Sequence, residues 1–210
     1  MSDVKTKTSH MKILILFGHP AFQSSHVNKY LVKGLGQFPG VTFRDLYEHY
    51  PEMDIDIDKE QRLLKEHDCI VFHHPMYWYS TPAIFKEWQD LVLEHGWAYG
   101  SQGNELKGKW FFNATTTGAS RLAFNKGEFQ NHTIHEFFVP MKQMALLCGM
   151  IPLPPFVIHG THLVTKEGVL SAQQSYHRLL ELLVHDRLTL GEILKVNYLN
   201  DLLGKEVKNA

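Results

Sequence analysis

The stretch "KILILFGHPAFQSSHVNKYL", residues 12–31, runs from an apolar segment through a polar turn into a helical pattern. The apolar run is continuous rather than alternating, which is typical of a strand covered by helices on both faces. The turn holds hydroxyl, amide and imidazole side chains but only one glycine, Gly18. It therefore does not match the G-x-G-x-x-G turn of dinucleotide-binding domains. Ser24, Ser25 and Asn28, together with the free N–H groups of a helix start, predict an anion site; the alternative is that Ser25 is only a helix cap.

Four further apolar runs alternate with helical patterns. The predicted strands are 12–17, 41–47, 69–74, 109–116 and 154–160. The predicted helices are 25–37, one capped by Asp58, 81–96 capped by Thr81, 133–149 bent at Pro140, and 171–188. Strands that alternate with helices predict βαβ units and a parallel sheet with helices on both faces. We expect a three-layer α/β fold of the flavodoxin-like type, with five strands in the order 2-1-3-4-5.

The chain divides into one domain and two short ends. Residues 1–11 are polar and predict a disordered lead-in, and residues 12–188 form the flavodoxin-like domain. Residues 189–210 fall outside the five units, and their spacing of Ile193, Leu194, Leu199 and Leu202 predicts a short amphipathic extension. That extension packs either on its own subunit or on another.

Composition excludes several classes of function. The 210 residues carry a formal net charge of -1, which argues against nucleic acid as a partner. No apolar run approaches the roughly 18 residues of a membrane span, and the N-terminus lacks a signal-peptide core. The two cysteines, Cys69 and Cys148, lie in apolar contexts and predict buried thiols in a cytoplasmic protein.

The 14 histidines do not form a metal-binding pattern. His73 and His74 are adjacent on a predicted strand, so their side chains point to opposite faces. His132 and His135 could share a helix face, but no H-E-x-x-H motif completes a site there. We expect no metal.

Three loops converge at the switch point of the predicted sheet, where ligands of open α/β folds bind. The first is the turn already described, to which His19 could add a donor. The second, "HPMYWYSTPAIFKEW" (74–88), places four large side chains between a strand end and a helix start, and these suit a flat aromatic ligand. The third, "NATTTGAS" (113–120), is small and hydroxyl-rich, so backbone N–H groups can approach a ligand edge.

These loops resemble the flavodoxin-fold NAD(P)H:quinone oxidoreductases, in the branch with glutathione-regulated potassium-efflux ancillary proteins and general-stress reductases. The resemblance covers residues 12–185 and rests on "GHP…SHVNK", "HPMYWYSTPAIFKEWQD", "EHGWAYG", "TTTGAS" and "LPPF". It implies a flavin cofactor, FMN in the short bacterial branch, with FAD in longer relatives. The phosphate end of the flavin would be held by His19, Ser25, His26, Val27 and Asn28.

The resemblance also implies which residues face the flavin ring. Met76, Tyr77, Trp78 and Tyr79 would line its N5/O4 edge, and Thr116, Thr117, Gly118 and Ala119 would face its N1/O2 edge. Trp78, Tyr79 and Gly118 would be the catalytic positions, acting through backbone N–H groups. Longer relatives have a second Gly, a Tyr and a relaying His after the Thr-Thr-Gly turn. Here Ala119 and Phe124 replace the first two, and His132 lies near the third in sequence.

The implied reaction is hydride transfer from NAD(P)H through the flavin to a quinone or similar acceptor, with both substrates using one site in turn. The implied assembly is a homodimer in which Trp97 and Tyr99 reach the partner's flavin, with Phe124 completing the substrate site. A regulatory subunit of a potassium-efflux transporter, peripheral at the inner membrane face, is one alternative. A flavodoxin-like electron carrier is another, disfavoured because the hydroxyl-rich first loop of flavodoxins is absent.

Overall fold

The computed structural model describes residues 10–204 of the chain. The predicted lead-in therefore falls almost entirely outside the described residues, as does the end of the predicted extension. A parallel sheet forms the centre of the molecule, and helices cover both of its faces. Its strands are β1 (Ile13–Phe17), β2 (Val41–Asp45), β3 (Cys69–Pro75), β4 (Trp110–Thr116), β5 (Ile151–Pro152) and β6 (Phe156–Ile158).

The sheet order is β2-β1-β3-β4-β5, with β6 also paired to β4, so the predicted order is confirmed. The prediction of one fifth strand over 154–160 is wrong in its bounds. The strand is divided into β5, which precedes that range, and β6, which lies within it. β5 pairs with Trp110 and Phe111, and β6 pairs with residues 114–116. The break contains Pro154 and Pro155, which have no N–H to donate to a sheet ladder.

The helices are shorter or shifted relative to their predicted bounds. They are α1 (Asn28–Leu31), α2 (Leu46–His49), α3 (Ile57–Glu66), α4 (Ala83–Val92), α5 (Ile134–Phe137), α6 (Val139–Leu147), α7 (Lys166–Val184) and α8 (Leu190–Ile193). Four short 3-10 turns, Phe22–Ser24, Leu35–Gln37, Arg121–Ala123 and Leu199–Leu203, complete the elements described.

Capping side chains explain most of these shifts. Asp45 ends β2 two residues early, because its carboxylate accepts from the N–H groups of Tyr47 and Glu48 and starts α2. The prediction that Asp58 caps α3 is wrong, since Asp56 accepts from Lys59 N. Thr165 caps α7, which therefore begins at Lys166, five residues before the predicted start.

Two other helices also depart from expectation. Thr81 does not cap α4, whose N-cap is Pro82 and has no side-chain hydrogen bond. The predicted helix over 25–37 contracts to α1 and a 3-10 turn, because Gly34 takes a φ of 86° that ends the helical path. The helix over 133–149 is interrupted at Phe138, just before Pro140, where a bend was predicted.

The apolar core lies in two layers, one on each face of the sheet. Ile13 and Ile15 face the layer formed by α1 and α7, whereas Leu14 and Leu16 face the layer formed by α3, α4 and α6. This alternation explains why the sequence of β1 is apolar throughout. Cys69 and Cys148 are buried in these layers as free thiols.

The predicted extension packs on its own subunit. Ile193 and Leu199 are fully buried against the α7 layer. Asn200 donates from Nδ2 to the Val157 carbonyl at 3.1 Å, and its Oδ1 accepts from Val157 N at 2.9 Å. Because both bonds occupy the outer edge of β6, the extension covers a strand edge that would otherwise be open to pairing.

Candidate functional site

The carboxyl ends of β1, β3, β4 and β6 meet at one edge of the sheet, and two adjoining clefts open there. The first encloses about 350 Å³ and the second about 430 Å³. The clefts share Met76, Gly118 and His162, so they form one continuous groove. The first is lined in addition by His19, Ala21, Ser24, Ser25, His26, Val27, Asn28, Pro75, Tyr77, Thr116 and Thr161. The second is lined in addition by Trp78, Tyr79, Thr117, Ala119, Phe124 and Gln130.

Asn28 joins the three strand ends beneath the first cleft. Its Nδ2 donates to Thr116 Oγ1 at 3.2 Å and to Ser25 Oγ at 3.3 Å, and its Oδ1 faces His73 Nε2 at 3.2 Å. Ser25 Oγ also accepts from Asn28 N at 3.0 Å. The Asn28 amide is therefore engaged within the protein, which makes it a support of the predicted anion site more than a direct ligand.

His19 presents a hydrogen-bond donor to the same cleft. Its Nδ1 accepts from Ala21 N at 3.2 Å, so the neutral ring carries its proton on Nε2. Burial lowers the pKa of His19 and favours this neutral form. The helix dipole adds less than the sequence suggested, because α1 has only four residues.

The second loop is a tight turn with strained backbone. Tyr77 and Ser80 exchange both of their backbone hydrogen bonds at 3.0 Å, and the two residues between them have positive φ angles, 48° at Trp78 and 65° at Tyr79. This pair of angles is that of a type I′ turn, which glycine and asparagine usually occupy. Among residues 10–204, nothing accepts from the N–H groups of Trp78 and Tyr79. Strain of this kind, with free donors, is typical of a ligand clamp.

The side chains of this turn are not core, as expected from their position between a strand and a helix. Trp78 is 94 % exposed and Tyr77 is 40 % exposed. Tyr79 is 49 % exposed, and its ring stacks on Phe137 with centroids 4.9 Å apart. Flat apolar surface therefore surrounds the second cleft.

The third loop turns at Thr117, Gly118 and Ala119. Thr117 N donates to the Ile158 carbonyl at 2.9 Å, whereas the Gly118 and Ala119 N–H groups meet no acceptor in the described part of the chain. Ala119 has an ordinary negative φ, so alanine is tolerated where longer relatives have glycine. A Cβ at Gly118 would lie 2.3 Å from Nε2 of the exposed His162, so a larger residue there requires the His162 side chain to move.

A second layer of side chains holds this turn from behind. Thr117 Oγ1 donates to the Ala119 carbonyl at 3.0 Å and lies 3.2 Å from His159 Nδ1. Burial lowers the pKa of His159 to about 4, so the ring is neutral. Phe124 is 4 % exposed, and its ring centroid lies 5.6 Å from that of His159.

The structure thus brings together the predicted cofactor residues of all three loops and Phe124. It does not bring Trp97 and Tyr99 to the clefts of the same chain. Both are half-buried against the core layer of α3 and α4, so the prediction that they reach a flavin concerns a partner subunit. His132 also stays outside, 3.9 Å from Glu136 across an exposed pair.

Apart from Phe124, three residues of the groove lie outside the three predicted loops, namely Gln130, Thr161 and His162. Two of them lie in the loop after β6, "HGTH" (159–162). The same rule that selected three loops would have selected this fourth, since β6 pairs in parallel with β4 and ends at the same edge.

The described part of the chain shows neither a cluster of metal ligands nor a membrane-spanning helix. In residues 10–204, no three His, Cys, Asp or Glu side chains come together as a metal site. No helix in that range is long and apolar enough to cross a membrane.

Comparison with known proteins relates the chain to a family of flavodoxin-like fold, whose model matches residues 11–182. The chain is 43% identical over 173 residues to an uncharacterized NAD(P)H oxidoreductase, YrkL, of Bacillus subtilis; the match covers 82% of this chain and 98% of that protein. It is 40% identical over 168 residues to the glutathione-regulated potassium-efflux system ancillary protein KefF of Klebsiella aerogenes, covering 80% and 94% of the two chains.

Two solved structures are similar as well. One is general stress protein 14 of Treponema denticola in complex with FMN, at 33% identity and a TM-score of 0.78, covering 82% of this chain and 99% of that one. The other is an NADPH-quinone reductase of P.pentosaceus, at 28% identity and a TM-score of 0.73, covering 80% and 96%. Both the fold and the length of the domain are thus those of these relatives.

Proposed function

The chain belongs to the flavodoxin-like fold family, and from that premise we propose that it is an FMN-dependent NAD(P)H oxidoreductase that reduces a quinone or a similar planar acceptor. The observation that carries the proposal is the pair of turns at the second cleft. Trp78 and Tyr79 on one side, and Gly118 and Ala119 on the other, each offer two backbone N–H groups without an internal acceptor. Relatives that bind FMN or are named NADPH-quinone reductase support the same assignment.

The groove fits FMN in both shape and chemistry. The first cleft offers Ser24, the Nε2–H of His19 and exposed His26 to a phosphate, with no carboxylate among its lining residues. The second cleft offers flat apolar walls to a planar ring system. When bound, FMN supplies two-electron hydride chemistry between nicotinamide and acceptor.

The residues of the chain then have separable tasks. The free N–H groups of the two turns would bind the polar edges of the ring and stabilise negative charge there, as preorganised backbone dipoles do. Phe124 and Tyr79 would keep water from the ring. Because Phe124 has no hydroxyl, it cannot supply a proton; His162, exposed and lining both clefts, is the titratable side chain nearest to Gly118.

We further propose that the protein is a homodimer with composite sites. Trp78 leaves nearly its whole indole exposed at the edge of the second cleft, and Trp97 and Tyr99 line neither cleft of their own chain. In a dimer the segment 94–100 of the partner would cover the exposed side of the groove, with Trp97 and Tyr99 in contact with the substrate. Trp97→Ala should then raise the substrate KM without changing flavin content, and a monomer in light scattering at micromolar concentration would contradict this arrangement.

Steady-state kinetics test the proposed activity. Oxidation of NADPH and NADH should proceed with menadione as the acceptor, and initial rates at several nicotinamide concentrations should give parallel lines, since both substrates use one site in turn. Intersecting lines would contradict the shared site. Absence of any nicotinamide oxidation by FMN-loaded protein would leave the electron-carrier alternative instead.

The similarity to KefF favours a second candidate function, regulation of a potassium-efflux transporter. In that case the protein would act at the inner face of the membrane, whereas the reductase alone would act in the cytoplasm. Co-purification of the tagged chain with a membrane transporter from its native cells would support this second function. Recovery of the tagged chain without any transporter would leave the reductase alone.

A further inference from the structure

Two histidines lie behind the groove without lining either cleft. His73 is near the end of β3 and is 1 % exposed, and His159 follows β6 directly. Each bonds through one ring nitrogen to a residue of the groove, His73 to Asn28 and His159 to Thr117. The other ring nitrogen of each, His73 Nδ1 and His159 Nε2, is buried with no hydrogen-bond partner among the described residues.

The hydrogen bonds around Asn28 determine the proton position on His73. Asn28 uses its NH₂ group for Ser25 and Thr116, which leaves Oδ1, an acceptor, towards the imidazole. His73 must therefore donate from Nε2–H. Through this bond the ring fixes the rotation of the Asn28 amide, and the amide in turn holds Ser25 and Thr116 at the first cleft.

The same reasoning applies to His159 at the second cleft. The hydroxyl of Thr117 has one proton, which it donates to the Ala119 carbonyl. His159 must therefore donate from Nδ1–H to Thr117 Oγ1. This chain of bonds holds the Ala119 carbonyl and so closes the turn that presents the free N–H groups of Gly118 and Ala119.

We propose that His73 and His159 are positioning residues that orient the two ends of the flavin site, His73 the phosphate end through Asn28 and His159 the ring end through Thr117. The inference rests on the FMN site proposed above. Burial keeps both rings neutral, since it lowers the pKa of His73 to about 3 and that of His159 to about 4. Each neutral ring thus carries one N–H, which His73 donates to Asn28 and His159 donates to Thr117.

Amide substitutions can test which nitrogen matters at each position. The NH₂ group of glutamine can take the place of His Nε2–H, and that of asparagine the place of Nδ1–H. We expect His73→Gln to keep FMN affinity within about threefold and His73→Asn to lose about tenfold, the effect of one buried bond left unmade. At the other position the order reverses, so His159→Asn should keep affinity and His159→Gln should lose it.

Comparing FMN with riboflavin separates the two ends. Riboflavin lacks the phosphate, so His73→Asn should weaken FMN while leaving riboflavin affinity unchanged within about twofold. His159→Gln should weaken both ligands alike. Dissociation constants from quenching of flavin fluorescence give these values without any measurement of turnover.

His67→Gln is the matched control. His67 is also buried and hydrogen-bonded, to Leu63 and Thr42, but lies at the opposite end of β3. The His67→Gln variant should change neither the affinity for FMN nor the affinity for riboflavin. Thr117→Val and Thr117→Ser give a second route should a histidine variant not fold, since only valine removes the hydroxyl and should weaken both flavins.

Failure of this inference is distinct from failure of the proposed function. If the unmodified protein binds no FMN, the proposed function is wrong. If it binds FMN but glutamine and asparagine behave alike at each position, or if FMN and riboflavin are always affected equally, the positioning roles are wrong.

Discussion

Asn28 Nδ2 donates to Thr116 Oγ1 across 3.2 Å, and this bond ties the loop after β1 to the end of β4, 88 residues further along the chain. Both partners are buried beneath the first cleft. Because Asn28 also binds Ser25, one amide maintains the arrangement of two loops that the sequence places far apart. The anion site is therefore a product of the closed sheet edge and not of the first turn alone.

Removing this amide should weaken cofactor binding more than it weakens the fold. Asn28→Ala removes three hydrogen bonds of the side chain, and we expect FMN affinity to fall about tenfold or more, since bonds of this kind contribute roughly 1–3 kcal/mol when one partner is left unsatisfied. Isothermal titration of apoprotein with FMN measures the loss. Gln173→Ala, which removes an exposed side-chain bond to the Lys33 carbonyl, is the control and should leave affinity unchanged.

The strain at Trp78 predicts a stabilising substitution. Trp78→Gly removes a side chain that is 94 % exposed and relieves a φ of 48°, so the free energy of unfolding should rise by about 1 kcal/mol. The same change should raise KM for the acceptor, because the indole wall of the second cleft is lost. Phe129→Gly is the control: Phe129 is 89 % exposed but its φ is negative, and this variant should not be stabilised. Urea unfolding of the unmodified protein and of the two variants measures these differences in stability.

A buried ion pair identifies Glu60 as a position where substitution should strongly destabilise the fold. Glu60 is fully buried and accepts from Arg44 at 2.6 Å, Tyr50 at 2.8 Å and Trp88 at 3.0 Å. Burial and the Glu60 carboxylate raise the pKa of Tyr50 to about 12, so that its hydroxyl remains a donor.

Glu60→Ala leaves the Arg44 charge buried without a partner and should lower the free energy of unfolding by about 3–5 kcal/mol. Glu105→Ala breaks an exposed pair with Lys65 and should cost less than about 1 kcal/mol. Similar losses in urea unfolding for both variants would mean that burial does not set the cost at Glu60.

Acid should destabilise the fold through its buried histidines. Burial lowers the pKa of His73 to about 3, and that of His74 and His159 to about 4. Above about pH 6.5 these rings are neutral in both states, so their effect on stability is constant. As pH falls below 6.5 the unfolded chain binds protons that the native rings do not, and each ring lowers stability by up to about 1.4 kcal/mol per pH unit until its native pKa is reached.

His74→Phe should remove the contribution of one buried imidazole to this pH dependence. His74 lies between Phe85 and Phe138, so phenylalanine suits its surroundings, although its bonds to Pro75 and Asn113 are lost. The slope of the unfolding free energy between pH 6 and pH 5 should fall by up to about 1.4 kcal/mol per pH unit. His132→Gln, at an exposed position, is the control, and an equal change in slope there would refute the assignment to buried rings.

Much of the fold follows from the sequence because its signals are local. The apolar runs of β1, β3 and β4 and the hydroxyls after β4 lie in single short segments, and the parallel sheet brings their ends together without further information. The errors are also local. Asp56 and Asp58 are equally good caps by residue type, and only the direction of the chain before α3 selects Asp56.

What the sequence does not predict depends on contacts between distant segments. His162 reaches the groove only because β6 pairs with β4, whereas the sequence predicts a single strand over 154–160. The positive φ angles at Trp78 and Tyr79 run against the preference of both residue types, so propensity alone predicts the wrong turn there. The roles proposed for Trp97 and Tyr99 require a second subunit.

Flavin binding by the purified protein tests the central claim most directly. After reconstitution and removal of free ligand, the absorbance spectrum and mass analysis of the released chromophore should give one FMN per chain. Gly118→Val places a side chain where the two clefts join and should abolish most of that binding, whereas Gly191→Ala should not. Protein that is folded by circular dichroism yet retains no flavin, and does not quench FMN fluorescence on titration, would contradict the account.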